Sequence, residues 1–172
     1  MMIKLAGCIM IIFGCAGMAN AWCTEQKRRL VMLRQIRKIY EDMKYYITYQ
    51  KTTIPEALHR ISENKELFLA DAFNEIYEEQ KKGEKNFPEN WERQMERALA
   101  QTPLRSQERR LLLDFPSCLG FMKEDAQAGA LDELLREVIR QIEEREEERK
   151  SKNKMVMSLG LAGGILLTIL LL

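Results

Sequence analysis

Hydrophobic residues fall into three regimes along this chain. Residues 5–22, LAGCIMIIFGCAGMANAW, and residues 155–172, MVMSLGLAGGILLTILLL, are uncharged and largely apolar, the second more completely than the first, which holds Asn20 and several small residues. Between them, apolar residues recur at every third or fourth position with charged residues on the other faces, which is the helical period. Each flanking run has 18 residues. At ~1.5 Å of rise per residue such a helix covers ~27 Å, close to the ~30 Å hydrocarbon core of a bilayer. A core helix of a water-soluble protein is seldom apolar all round for that length. The pattern predicts an all-α protein with membrane helices at 5–22 and 155–172 and a helical domain over 24–153.

Within that domain the pattern predicts about six helices in a bundle. Leu30, Leu33, Ile36, Tyr40, Met43 and Ile47 mark the first, uninterrupted by Gly or Pro from 24 to about 51. Thr53-Ile54-Pro55-Glu56 reads as a restart, with Thr53 as N-cap, Pro55 early in the helix and Glu56 completing a capping box. A third helix is expected over 66–82, carrying Leu67, Phe68, Phe73 and Ile76, with Gly83 ending it. Asn86-Phe87-Pro88 opens a fourth with Trp91, Met95 and Leu99. Thr102-Pro103 closes it and caps a fifth that carries Leu104, Leu111, Leu112 and Leu113. Pro116 and Gly120 bound a turn before a last helix with Leu131, Leu134, Leu135, Val138, Ile139 and Ile142. No strand pattern appears.

Charge sets the orientation. The 172 residues hold 27 Lys and Arg against 26 Asp and Glu, a formal net charge of +1. Nearly all of these charges lie between the two apolar runs. Lys27, Arg28, Arg29, Arg34, Arg37 and Lys38 crowd behind the first, while only Lys4 precedes it. Arg145, Arg149, Lys150, Lys152 and Lys154 precede the second, and nothing basic follows it. Basic flanks belong on the cytoplasmic side, so the domain is expected in the cytoplasm with both termini across the membrane. Ala19-Asn20-Ala21 resembles a signal-peptidase site. The charge distribution opposes cleavage there, but the residues alone leave open whether the first run is kept. Leu5-Ala6-Gly7-Cys8 fails as a lipoprotein motif, since the apolar stretch follows the cysteine.

Chemistry-bearing motifs are sparse. Cys118 stands alone in the domain, in keeping with a reducing compartment, and reads as a small buried residue. No zinc-ligand spacing exists around His59, the single histidine, and no phosphate loop or nucleophile elbow is present. The acids Glu143, Glu144, Glu146, Glu147 and Glu148 interleave with arginines as a solvated helix face does. No enzyme, no cofactor and no metal are expected. The basic stretch 27–38 lies beside a span, which favours lipid contact or orientation over nucleic acid. Tyr40, Tyr45, Tyr46 and Tyr49 fit a core or interface better than a base-stacking platform. Gly160 and Gly164 form a Gly-x-x-x-Gly that lets membrane helices approach closely, and Gly17 with Ala21 forms a weaker version.

Several short pieces in fixed order carry a family resemblance. They are Ile3-Lys4-Leu5-Ala6-Gly7-Cys8 with Gly14-Cys15-Ala16-Gly17, the basic helix behind them, Ile54-Pro55-Glu56-Ala57-Leu58, the stretch 87–91, Leu119-Gly120 with Gln127, and Leu159-Gly160-Leu161-Ala162-Gly163-Gly164. Over its full length the chain resembles the stage III sporulation protein AB family of endospore-forming bacteria. The family pattern often has an acid where Lys123 stands, and a second Leu-Gly where Phe115-Pro116 stands; Asp125 or Ser117 would then cap the last helix. The resemblance implies a subunit of the channel complex between mother cell and forespore, in the mother-cell membrane around the forespore. Its cytoplasmic domain would be similar to that of the platform protein of type II secretion and type IV pilus systems. It implies docking of the complex's cytoplasmic ATPase, with neighbouring membrane subunits as further partners and no nucleic acid. The expected contact residues are Leu119, Gly120, Asp125 and Gln127 in the turn, and Arg28, Arg29, Arg34 and Arg37 on the first helix. A membrane-anchored adaptor unrelated to sporulation is the competing expectation.

Overall fold

The computed structural model describes residues 2–83, 86–119 and 124–171, with side chains throughout 20–83, 86–117 and 126–149 and at scattered positions elsewhere. Among the described residues there are seven helices and no strand: α1 (Met2–Thr48), α2 (Ile54–Ser62), α3 (Ala70–Lys81), α4 (Phe87–Leu99), α5 (Ser106–Leu113), α6 (Phe115–Leu119) and α7 (Glu124–Leu171). They fall into two units, one made of Met1–Leu30 with Glu143–Leu172 and the other of Val31–Ile142. The long helices α1 and α7 each contribute to both. Among the described residues no helix is long and apolar enough to cross a membrane. The expected spans 5–22 and 155–172 lie largely outside the residues whose side chains are described.

The Val31–Ile142 unit is a helical bundle whose core follows the predicted stripes. From α1 it buries Leu33, Ile36, Ile39, Tyr40, Met43 and Ile47, and from α4 Trp91, Met95 and Leu99. Leu58 and Ile61 of α2, Phe73 and Ile76 of α3, and Leu131, Val138 and Ile142 of α7 join it, whereas on the expected α7 stripe Leu134 and Leu135 are half-buried and Ile139 is 39% exposed. α3 packs between α2 and α4, and α4 meets α5 and α6. Polar ties reinforce this packing. Arg93 and Gln94 on α4 both reach the Glu79 carboxylate on α3, at 2.6 and 3.4 Å, and Lys44 on α1 pairs with Asp132 on α7.

The end of α5 shows how one residue organises its neighbours. Pro116 has no backbone N–H, so the Leu112 carbonyl loses the donor a continuing helix would supply. The Trp91 indole fills that place, donating Nε1–H to the Leu112 carbonyl at 2.7 Å. The adjacent Leu111 carbonyl accepts the Tyr40 hydroxyl. Phe115 stacks between the same two rings, with centroids 5.8 Å from Tyr40 and 4.5 Å from Trp91. Helices α1, α4, α5 and α6 are thereby fastened at one buried point.

Local differences from the expected elements have identifiable causes. The third helix begins at Ala70 rather than near 66. Asn64 accepts the Glu66 N–H at 3.2 Å, a local turn that competes with helix. Gln35 on α1 then holds the turn from both sides, accepting the Phe68 N–H and donating to the Glu66 carbonyl, each at 3.3 Å. Thr53 has extended N-cap geometry but makes no side-chain cap bond, and Glu56 pairs with Arg60 at 3.6 Å instead of closing a capping box. The fifth helix is preceded by Arg105, not by the Thr102-Pro103 pair, and Glu108 accepts the Arg105 N–H at 2.8 Å. The turn expected after Pro116 contains α6, which makes seven described helices in place of six. Asn86 caps α4, accepting the Glu89 N–H at 3.5 Å, and Gly83, at φ 93°, ends α3 as expected. The Ser117 hydroxyl donates to the Asp114 carbonyl at 2.6 Å.

Two outcomes follow from this packing. Tyr40→Phe removes the hydroxyl that donates to the buried Leu111 carbonyl and should lower stability by about 1 kcal/mol, and Trp91→Ala should lower it by about 3–5 kcal/mol. Denaturation of the full chain in mild detergent measures both, and wild-type stability in either variant contradicts the fastening role. The second outcome concerns Asp42, whose carboxyl is raised above its ordinary range by burial, with Lys38 opposing and Glu41 adding to the rise. A carboxylate whose folded pKa exceeds its unfolded one weakens the fold once ionised, and that penalty vanishes below the unfolded pKa. Asp42→Asn should therefore melt higher than wild type at pH 7, with the gap closing as pH falls through the carboxylate range. A variant less stable than wild type at pH 7 contradicts this.

Candidate partner-docking surface

α1 divides its faces sharply within the Val31–Ile142 unit. The stripe Leu33, Ile36, Tyr40, Met43 and Ile47 is buried. On the opposite side Val31, Arg34, Lys38, Glu41, Tyr45 and Tyr49 recur every three or four residues and are exposed. Val31 is 52% exposed, Tyr45 51% and Tyr49 75%, which is high for side chains of this size. The two exposed tyrosines lie one turn apart with ring centroids at 5.8 Å, and Tyr45 meets Tyr46 edge-on at 5.7 Å. The Arg60 guanidinium sits 5.6 Å above the Tyr46 ring while donating to the Gln50 side chain at 2.6 Å. This is a tethered aromatic patch at the C-terminal end of α1.

The connection beyond it is shaped by Lys51, whose φ of 53° is left-handed. Thr52 N–H closes the turn onto the Tyr46 carbonyl at 3.1 Å. The strand-free corner so formed lines an open groove of about 290 Å³ with Ile47, Ile54, Pro55 and Gln127. Gln127 is thus placed beside the start of α2. Of the other expected turn residues, Gly120 and the side chains of Leu119 and Asp125 lie outside the described residues, as does the Cys118 side chain.

The four expected arginines share α1 but not one environment. Arg28, Arg34 and Arg37 are exposed, and Arg37 pairs with Glu41 at 3.3 Å. Arg29 is buried, at 3% exposure. It stands four residues before Leu33 and so continues the buried stripe, a signal present in the spacing. A Cβ at Gly17 would meet no described atom within 4 Å. Gly160 and Gly164 belong to α7, but their surroundings lie outside the described residues.

A second open groove, of about 330 Å³, runs between α5 and α7 and includes Arg110, Asp114, Leu134, Glu137 and Arg140. Hydrogen bonds from Arg140, then Gln141, hold the Glu137 carboxyl below its ordinary range. This mixture of charges has no nucleophile beside a base. Among the described residues no cluster of His, Cys, Asp and Glu is arranged to hold a metal ion. The exposed side of α1 carries the aromatic rings of Tyr45 and Tyr49 beside arginines.

No curated protein and no solved structure matches the chain. A family model described as stage III sporulation protein AB matches residues 4–172. That is a sporulation family and not a known enzyme family. With almost its whole length of 172 residues covered by that model, the chain belongs to the stage III sporulation protein AB family.

Proposed function

We propose that this chain is a non-enzymatic membrane platform of the sporulation channel complex between mother cell and forespore, and that it docks the complex's cytoplasmic ATPase at the membrane. Membership of the stage III sporulation protein AB family is the observation that carries this reading. In it, residues 5–22 and 155–172 span the mother-cell membrane and residues 24–153 lie in the cytoplasm. The charge distribution supports that orientation, with Lys and Arg gathered on the inner side of both runs. The continuity of α1 and α7 supports a coupling role, because each runs as one helix from its apolar run into the domain. The analogy with secretion and pilus platform proteins supplies the mechanism.

The reading is tested by capturing tagged full-length protein from sporulating cells in mild detergent and identifying its companions by mass spectrometry. The ATPase and neighbouring membrane subunits of the complex should be enriched over an unrelated two-span protein. If none is enriched, the channel role falls and the chain is an anchored helical adaptor with another partner.

A further inference from the structure

The groove between α5 and α7 holds two charges and a hydrogen-bond acceptor that its own chain leaves without partners. On the α7 side the charges are satisfied. Glu137 accepts from Arg140 at 2.6 and 2.9 Å and from the Gln141 amide at 2.9 Å. On the α5 side Arg110 and Asp114 line the same groove and are exposed. Among the described residues neither side chain has an ion pair or a hydrogen bond. Their order explains why they do not pair with each other, because a base four residues ahead of an acid is the poorer arrangement on a helix. Gln141 adds a third open group. It is 6% exposed, and its Oε1 is buried with no donor.

The signs of the free charges decide what can cover this groove. An acidic partner is drawn to Arg110 and repelled by Asp114, and a basic partner meets the reverse. The groove is open, with Leu111 and Leu134 as its apolar lining, so it suits a polypeptide laid across it better than an enclosed small molecule. One unused base and one unused acid a single turn apart make a face complementary to itself. A two-fold axis between them sets each Arg110 against an Asp114, and the contact is made twice.

We propose that the α5 side of this groove is a two-fold contact between two copies of this chain, in which Arg110 of each copy pairs with Asp114 of the other. The second chain closes over the groove, takes half-buried Leu134 further out of water and brings donors to the Gln141 oxygen. Charge pairs covered in this way are screened less by salt than pairs left open to solvent. The contact goes beyond the platform reading and does not rest on it, since docking an ATPase and pairing with a second copy are separate events.

The test is a charge exchange in full-length protein, read by a photoreactive benzoylphenylalanine in place of exposed Gln107, which lines the same groove. The same group in place of exposed Glu92 on α4 is the control. With Arg110 and Asp114 intact, position 107 should give an adduct of two copies at twice the mass of the chain. Arg110→Asp alone sets acid against acid, and Asp114→Arg alone sets base against base. Each should lower the adduct yield by about tenfold or more. Co-expressed under different tags, the two variants oppose Asp to Arg at both contacts, and the mixed adduct should return to the yield of the unaltered protein. That recovery also shows that both variants fold. Yields no higher than from position 92, adducts to another protein alone, or a mixture that fails to recover would each overturn the proposal. Yields unmoved by either single reversal would do the same, because they would place any association of copies elsewhere on the chain.

Discussion

The bundle depends on what happens to two carbonyls at the end of α5. Pro116 cannot donate to the Leu112 carbonyl, and a buried carbonyl without a donor costs about 1–3 kcal/mol. Trp91 from α4 donates to that carbonyl, and Tyr40 from α1 donates to its neighbour Leu111. Phe115, the first residue of α6, then lies between the two rings. A break in one short helix therefore determines where the largest aromatic side chains of three others must sit.

This arrangement fixes the rotation of α1 about its axis. With Tyr40 bound inward, Leu33, Ile36, Met43 and Ile47 follow it into the core by helical period, and the stripe through Val31, Lys38, Tyr45 and Tyr49 is forced outward. Gln35 on the flank of the same helix secures the turn before α3, and Lys44 secures α7 through Asp132. The outward face is a consequence of the buried one.

Much of this was legible in the residues themselves. The buried stripes of α1 and α7 follow the helical period, and Asn86 and Gly83 mark real helix ends because capping is local chemistry. The start of α3 was not legible, since Gln35, some thirty residues away, holds that turn. Thr53 looked like a capping residue by type, yet Glu56 is drawn to Arg60 instead. The short α6 was hidden by a proline that reads as a breaker but also suits the first turn of a helix. Arg29 lies on the buried stripe of α1 despite its charge. Tyr45 and Tyr49 read, like Tyr40, as core or interface residues, and only packing separates them from Tyr40 in the core. Function was readable chiefly through resemblance, because recognition surfaces lack the fixed spacing that catalytic and metal-binding motifs have.

The most direct measurement is the membrane-bound fraction of the sporulation ATPase in fractionated sporulating cells, with and without this chain. The platform account predicts that the ATPase is membrane-associated when the chain is present and shifts to the soluble fraction when it is deleted. An unchanged membrane-bound fraction in the deletion strain would contradict it.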